Sequence, residues 1–325
     1  MDTALIPKIS VIMPVYNSEQ YVFEAINSII SQTFRDFELI IINDGSTDDS
    51  EKIILSITDH RIRYFMNSEN LGIICTRNFG LQQARCEYIA MMDSDDVSFP
   101  GRLEKQYGYM SKNPLAGVCG AVMEFIGDKQ GHFENACNTV STFTKLMTAP
   151  PFGQSTAFIR KSVLDKHALQ YNPDYPHAED YKLWLDISKY SEIYCLPETL
   201  VYYRFHLSND SRIHQANQQQ SALKTQKDWF EYVLNKKLNA DESDYFKGIR
   251  TFKSCFYYNL LCFLVVKNAT IPVDNKIVME QRMRNNLLIM NSFIEKRFTI
   301  LLFLVKIIDR IISKCILHLT PDKTV

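Results

Sequence analysis

The first two hundred residues alternate between short, continuous apolar runs and stretches with an amphipathic pattern. Apolar runs rich in β-branched residues extend from Lys8 to Val15, from Phe37 to Ile42 and from Tyr88 to Met92, and a shorter run covers 62–66. Such runs predict strands that are buried on both faces. The stretches between them predict helices of about 10–15 residues. The alternation therefore predicts an α/β fold, in which βαβ units build a mostly parallel, Rossmann-like central sheet.

Polar side chains follow three of these runs, at the points where the predicted strands end. Tyr16 and Asn17 follow the first run, Asp44 follows the second, and the segment Asp93-Ser94-Asp95-Asp96 follows the run that begins at Tyr88. Ligands of open α/β sheets bind at the carboxyl ends of the strands. The pattern therefore predicts a ligand site where these ends meet.

The segment 93–96 places three carboxylates within four residues and contains no Lys or Arg. Carboxylates this close repel one another unless a cation lies between them. Hard oxygen ligands favour Mg²⁺ or Mn²⁺, so the segment predicts a divalent metal site. The alternatives are a solvated acidic turn, or Asp96 as the N-cap of a helix that begins near Pro100.

Two familiar phosphate-binding motifs are absent from the sequence. No G-x-G-x-x-G follows the first run, and no G-x-x-x-x-G-K-[ST] occurs anywhere. A nucleotide bound here would not be held by a glycine-rich loop. Its phosphates would have to be neutralised by the metal.

After Pro100 the alternation is less regular. The pattern predicts a helix over 102–112, strands over 117–125 and 155–159, a loop over 127–138, a helix from Glu179 to Tyr190, and a strand, turn and strand over 193–204. Glu179 and Asp180 lie in the first turn of their helix. The helix dipole stabilises acidic residues there, so the pair could have a purely structural role. His206 follows the last strand closely, and it is either a structural histidine or part of the metal site.

The last third of the chain differs in composition. The 325-residue chain has a formal net charge of −1 at pH 7, but 201–325 contains 19 Lys and Arg against 11 Asp and Glu. The near-neutral total gives no reason to expect nucleic acid as a partner. Helical periodicity dominates after about Ser208, which predicts one domain over 1–210 and a mainly helical region over 211–325.

Residues 297–319 form an amphipathic segment within that region. Apolar side chains recur at spacings of three and four, while Lys306, Arg310 and Lys314 occupy the other side. Two interpretations stay open: a helix that docks on the protein's own core, or a helix that lies in a membrane interface. No uninterrupted apolar stretch in the sequence reaches the length of a membrane-spanning helix.

The N-terminus and the cysteines predict a compartment. Met1-Asp2-Thr3 begins acidic and leads directly into a predicted strand, so no signal peptide is expected. The eight cysteines form no C-x-x-C pair. These features favour a cytoplasmic protein with reduced thiols. The membrane interpretation of 297–319 would place it peripherally at the inner face of the cytoplasmic membrane.

The first 210 or so residues resemble the family 2 glycosyltransferases, which have the GT-A fold. The resemblance rests on motifs that occur in the family's order and at sensible spacing: SVIMPVYN at 10–17, INDGSTD at 42–48, Asn70-Leu71-Gly72 with Arg77-Asn78, MDSDD at 92–96, Glu179-Asp180 and YRFH at 203–206. One such motif alone is weak, whereas the ordered set is highly specific. The last third of the chain shows no such match.

The resemblance implies an enzyme that transfers a sugar from a nucleotide diphosphate sugar, with inversion at the anomeric carbon. Asp180 would be the general base, and Glu179 would support it. Asp95 would hold Mn²⁺ or Mg²⁺, and His206 would complete the coordination. Asp44 would bind the base between Tyr16 and Arg77, and Asp93 would lie near the ribose. The residues implied in binding the nucleotide sugar are Pro14, Tyr16, Asn17, Glu19, Asp44, Arg77, Asp93 and Ser94.

Elementary chemistry can be set beside these implied roles. A carboxylate at Asp44 accepts a hydrogen bond from N3–H of uracil or thymine, whereas cytosine has an acceptor there, so a UDP or dTDP donor is expected over CDP. A sugar hydroxyl is nearly unreactive until a base removes its proton. Direct displacement needs one such base, while double displacement needs a second carboxylate as nucleophile, for which the sequence offers no further candidate.

Two positions depart from the family's pattern. Asn43 stands where an acidic residue is common, so the contact with the ribose at that position is not assigned. Gln154 stands in a stretch that often carries His, so the acceptor pocket is expected to differ. Processive members carry a Gln-x-x-Arg-Trp motif, but neither Trp184 nor Trp229 is preceded by Arg, which favours addition of a single sugar. The expected acceptor is a lipid-linked saccharide in O-antigen, lipooligosaccharide or capsule assembly.

Two other functions compete with sugar transfer. A nucleotidyltransferase of related fold would carry a glycine-rich, basic loop after the first strand, where this chain has Val15-Tyr16-Asn17-Ser18. A non-catalytic nucleotide-binding protein is the second alternative. The presence of Asp44, Asp95 and Asp180 argues against it, because a decayed site would tolerate their loss.

Overall fold

A computed structural model of the chain describes residues 7–132, 142, 145–207, 209–248 and 258. The chain divides into two compact units, with the boundary between Ser221 and Ala222. All the strands of the described chain belong to the first unit.

The first unit is built on an eight-stranded sheet within the described residues. In spatial order its strands are β3 (Ile62–Met66), β2 (Phe37–Asn43), β1 (Ile9–Val15), β4 (Tyr88–Met91), β7 (Phe158–Arg160), β6 (Ala116–Gly127), β8 (Glu192–Phe205) and β5 (Val97–Ser98). The first four in this order are parallel to one another, and β8 is parallel to β6. β7 is antiparallel to β4 and β6, and β5 is antiparallel to β8. The predicted α/β class with a mostly parallel central sheet is confirmed.

Helices connect the strands in the order that the alternation predicts. They are α1 (Val22–Ile30), α2 (Ser50–Ser56), α3 (Ile73–Gln83), α4 (Arg102–Lys112), α5 (Lys161–His167) and α6 (Glu179–Ser188). Every residue of β1 and β2 is buried, as expected of parallel strands that are covered on both faces. α3 packs closely on β1, because a Cβ on Gly80 would lie only 2.5 Å from Cγ2 of Ile12.

Several element boundaries differ from the sequence prediction. The stretch predicted as a strand over 155–159 begins as a 3₁₀ turn, Gln154–Thr156, and the strand starts only at Phe158. The predicted strand, turn and strand over 193–204 is one strand, β8. Pro197 lies in β8 where its pairing with β6 shifts register, from Leu196 opposite Ala121 to Thr199 opposite Val122. Such an irregularity accommodates a proline inside a strand.

The described chain beyond the sheet is helical, as predicted. α7 (Asp210–Ile213), α8 (Gln215–Leu234), α9 (Ala240–Ser243) and a 3₁₀ turn at Asp244–Lys247 follow β8. No helix in the described ranges combines the length and apolar character needed to cross a membrane. The amphipathic segment 297–319 lies outside the described residues, so neither interpretation of it is tested.

Candidate active site

The carboxyl ends of β1 and β2 carry two loops that hydrogen bonds tie together. Asn17 N–H donates to Ser46 Oγ at 3.0 Å, and Thr47 N–H donates to Asn17 Oδ1 at 2.9 Å. Asn17 has a φ of 48°, in the left-handed region that asparagine tolerates better than most residues. Tyr16 beside it is 46 % exposed. Tyr16 is therefore the large aromatic side chain of this loop that a ligand can reach directly.

Three other predicted donor-binding residues make contacts within this edge of the sheet. Glu19 Oε2 accepts a hydrogen bond from Asp49 N–H at 2.9 Å. Ser94 Oγ lies 2.7 Å from Ser18 Oγ, so the acidic segment is joined to the loop after β1. Pro14 is buried within β1. These contacts shape the loops around a ligand position.

Asp44 is buried and holds the turn that precedes α3. Its Oδ1 accepts from Asn67 Nδ2 at 2.7 Å and from Leu71 N–H at 3.0 Å, and its Oδ2 accepts from Gly72 N–H at 3.0 Å. A carboxylate offers about four acceptor positions. These bonds therefore leave room on Oδ2 for one further donor.

Arg77 of α3 lies buried between two carboxylates. Its Nη1 donates to Glu179 Oε1 at 2.5 Å and its Nη2 donates to Asp93 Oδ1 at 2.9 Å. Burial works against the charge of Arg77, but the two carboxylates outweigh it and hold the pKa of the guanidinium above its usual value. The residue expected to flank the base thus connects the acidic segment with the first turn of α6.

Ser155, a residue that the sequence did not single out, joins Asp93 to Asp96. Ser155 Oγ lies 2.9 Å from Asp93 Oδ2 and 2.5 Å from Asp96 Oδ2. Ser155 has one hydroxyl proton, so a proton on one of the two carboxyl groups would complete the second contact. Burial, followed by the charges of Asp95 and Asp93, holds the pKa of Asp96 well above its usual range. A neutral Asp96 that donates to Ser155, which in turn donates to Asp93, satisfies all three groups.

Asp95 and His206, which the family resemblance implies as metal ligands, lie side by side. Asp95 Oδ2 lies 3.0 Å from His206 Nε2. Asn209 fixes the histidine, because it accepts from His206 N–H at 2.6 Å and donates to Arg204 O at 3.0 Å. Its Nδ2 also lies 3.1 Å from His206 Nε2. Nε2 thus lies within hydrogen-bond distance of both Asp95 and Asn209, and the tautomer of the ring decides whether it donates or accepts.

Asp95 Oδ2 and His206 Nε2 fit a divalent cation that takes its remaining ligands from elsewhere. Mg²⁺ and similar ions are commonly held by one or two protein ligands together with substrate phosphates and waters. No group of three potential ligands from His, Cys, Asp and Glu lies together within the described part of the chain. Any ion at Asp95 and His206 would therefore depend on phosphate oxygens and waters for the rest of its coordination.

Asp180 lies in the first turn of α6, next in sequence to Glu179, which pairs with Arg77. Burial, and next the charge of Glu179, raise the pKa of Asp180 to about 7, while the charge of Arg77 opposes the shift. Its Oδ1 accepts a hydrogen bond from Tyr181 N–H at 2.6 Å. A carboxylate that titrates near neutral pH can both hold and release a proton under working conditions, as a general base requires.

Comparison with known proteins relates this arrangement to one family. The profile of the family described as Glycosyl transferase family 2 matches residues 10–167. An uncharacterized glycosyltransferase of Haemophilus influenzae is 36 % identical over 243 residues, which cover 71 % of this chain and 75 % of the relative. A second relative is the Escherichia coli protein named UDP-Glc:alpha-D-GlcNAc-diphosphoundecaprenol beta-1,3-glucosyltransferase WfgD. It is 30 % identical over 203 residues, which cover 62 % of this chain and 78 % of that protein.

A solved structure extends the likeness to three dimensions. The crystal structure of residues 1–349 of TarS from S. aureus, in complex with UDP-GlcNAc, superposes with a TM-score of 0.61 over 90 % of this chain and 93 % of that chain. The two sequences are 17 % identical, so this likeness shows the fold alone. It confirms the GT-A fold expected from the motifs.

Proposed function

Because this chain belongs to glycosyltransferase family 2, we propose that it transfers one sugar, with inversion, from a UDP-sugar to a hydroxyl group of a lipid-linked saccharide. The product would be an intermediate of a cell-surface polysaccharide such as an O-antigen, a lipooligosaccharide or a capsule. The names of two similar proteins support the donor and the acceptor. TarS was crystallised with UDP-GlcNAc, and WfgD is named for UDP-Glc and a diphosphoundecaprenol-linked sugar.

The observation that carries this proposal is the environment of Asp180. Its pKa of about 7 suits a base that takes the proton of the attacking hydroxyl. Glu179 and Asp93 are both paired with Arg77, which supports structural and binding roles for them. With Asp180 as the base, the one base that direct displacement with inversion needs is supplied.

The donor would lie along the edge formed by β1, β2 and β4. The open acceptor position on Asp44 Oδ2 suits the N3–H of uracil, and exposed Tyr16 can cover the face of the base. Asp95 and His206 would hold Mn²⁺ or Mg²⁺, which stabilises the negative charge developing on the diphosphate when it is bound.

The region that follows the sheet is proposed to attach the enzyme to the membrane. We infer that 1–210 is the catalytic domain, and that 211–325 is a helical region whose segment 297–319 attaches the enzyme to the inner face of the cytoplasmic membrane. The basic side chains of that segment would be attracted to anionic headgroups by about 1 kcal/mol each. A lipid-linked acceptor would make such attachment useful, since the enzyme would meet it at high effective concentration.

The test is a donor screen followed by a transfer assay. The full chain is heated with UDP-Glc, UDP-Gal, UDP-GlcNAc and UDP-GalNAc in the presence of Mn²⁺, and a ligand at 100 times its Kd should stabilise it by about 2.7 kcal/mol. The stabilising donors are then incubated with a synthetic GlcNAc-diphospho-lipid, and released UDP is measured. Formation of UDP-sugar from UTP and a sugar 1-phosphate, without transfer, would instead identify a nucleotidyltransferase.

A further inference from the structure

Gln154 is a buried polar residue with no part in the proposed catalytic set. It is 8 % exposed and opens the 3₁₀ turn before β7. Its Nε2 donates to Tyr171 Oη at 2.7 Å, whereas its Oε1 has no hydrogen-bond partner among the described residues. Buried polar atoms are nearly always hydrogen-bonded in native proteins. A partner for this oxygen is therefore expected, either from a bound ligand or from residues beyond those described.

The neighbour of Gln154 places it in the wall of the site. Ser155, the next residue along the turn, contacts Asp93 Oδ2 and Asp96 Oδ2. The same turn lies against the end of β4, since Met91 N–H donates to Ala157 O at 2.9 Å. The backbone that carries Gln154 is thus held directly behind the acidic segment.

The other partner of Gln154 leads to the proposed base. The ring of Tyr171 lies 5.7 Å from Cζ of Arg77. Burial raises the pKa of Tyr171, Arg77 opposes that rise, and the charges of Asp180 and Glu179 add to it. The phenol that holds the Gln154 amide therefore lies within electrostatic reach of Asp180.

Two more unpaired polar atoms belong to this wall. Glu179 Oε2 and Arg77 Nε are buried and have no hydrogen-bond partner within the described ranges. Together with Gln154 Oε1 they make two buried acceptors and one buried donor on side chains grouped around Tyr171 and the pair of Arg77 with Glu179. Sugar hydroxyls both donate and accept hydrogen bonds, so a sugar complements this set better than an apolar or purely anionic ligand does.

We propose that Gln154 is a specificity-determining residue, whose Oε1 accepts a hydrogen bond from a hydroxyl or amide N–H of the sugar that binds beside Asp180. This inference rests on the proposed function. The sugar is either that of the donor or that of the acceptor, and binding measurements separate the two. A site built to accept a hydrogen bond discriminates against an analogue that lacks the donor, because the buried oxygen is then left unpaired.

The experiment compares Gln154→Met with Gln32→Met in the full chain. Met has a length similar to that of Gln but no amide. Gln32 is also buried, and its amide is bonded to Phe99 O and Leu103 N–H, so its loss reports the general effect of removing a buried amide. Calorimetry gives the Kd of UDP, UDP-glucose and UDP-N-acetylglucosamine. Release of UDP with the synthetic GlcNAc-diphospho-lipid gives the KM of the acceptor.

Gln154→Met should weaken one sugar-dependent constant by about tenfold, the size of one neutral hydrogen bond, and leave the Kd of UDP unchanged. A donor contact raises the Kd of the UDP-sugar, and an acceptor contact raises only the acceptor KM. Gln154→Asn keeps the amide but withdraws it by one methylene, so it should show the same loss and serves if the Met variant does not fold.

Unchanged sugar constants in the Gln154 variants would overturn the inference and indicate that Oε1 binds only water. An equal loss in the Gln32 control would overturn it as well, and would indicate a structural role. Failure of the proposed function is recognised separately, because the wild-type protein itself would then neither bind a UDP-sugar nor release UDP.

Discussion

Sugar transfer should be lost on acidification already near pH 6, where ordinary aspartates are still ionised. The pKa of Asp180 is about 7, so about one tenth of the enzyme carries the basic form at pH 6 and about nine tenths at pH 8. kcat/KM should therefore rise about tenfold per pH unit below 7 and level off above 8. The measurement is UDP release from pH 5 to 9, with thermal unfolding recorded at each pH to confirm that the protein stays folded.

Glu179→Gln provides the internal control for this prediction. Burial is the largest cause of the raised pKa of Asp180, and the charge of Glu179 is the next. Removing that charge should move the acidic limb of the profile to lower pH, whereas a conservative change remote from α6, such as Lys52→Arg, should not move it. If the acidic limb of the kcat/KM profile of the wild-type protein had its midpoint near pH 4, the assignment of Asp180 as the base would be refuted.

The same shift has a consequence for stability, with a definite sign. The pKa of Asp180 is higher in the folded than in the unfolded chain, so the folded chain binds more protons between about pH 4 and pH 7 and loses stability as the pH rises through that window. A shift of about three units corresponds to at most about 4 kcal/mol. Asp180→Asn should therefore be the more stable protein at pH 8 while turnover falls by about 10²-fold or more, as urea unfolding and UDP release would show. A variant that loses both stability and activity would contradict this reasoning.

Three further predictions concern the rest of the chain. EDTA should abolish transfer and Mn²⁺ or Mg²⁺ should restore it, and Asp95→Asn should weaken nucleotide binding as well as turnover; full activity in chelator would exclude a required metal. Arg77→Met should lower the free energy of unfolding by about 3–5 kcal/mol, because two buried carboxylates lose their partner; urea unfolding measures this, and a loss below about 1 kcal/mol would count against it. Vesicles with anionic lipid should sediment the full chain but not a chain that ends near Ser292; equal sedimentation would favour a docked helix for 297–319.

The pattern of apolar residues predicts the parallel half of the sheet well, for a physical reason. β1 and β2 are buried on both faces, so their sequences are apolar without interruption and easily recognised. The carboxyl ends of these strands then predict which polar residues come close together, whatever the details of the loops. The contact between Asp95 and His206 follows from the same logic combined with the family resemblance.

The pairing of polar side chains is less accessible to sequence analysis because it depends on contacts between distant residues. Arg77 and Glu179 are 102 residues apart, and nothing local in either segment indicates that they form an ion pair. Ser155 lies in a stretch whose pattern predicts a strand but which forms a 3₁₀ turn, and in that turn its hydroxyl contacts Asp93. Ser155 was not predicted as a site residue because the conformation of this turn depends on residues that are distant in sequence.

α3 connects the two ends of the site. Asp44 holds the N–H of Gly72, the residue before α3, and Arg77 follows five residues later, a rise of about 7–8 Å along the helix. Arg77 in turn holds Asp93 and Glu179, next to the proposed base. A shift of the turn at Asp44 would therefore also displace the buried ion pairs of Arg77 with Asp93 and Glu179. Asp44, which we propose to bind the base, is thus linked through α3 and Arg77 to the segment that carries Asp180.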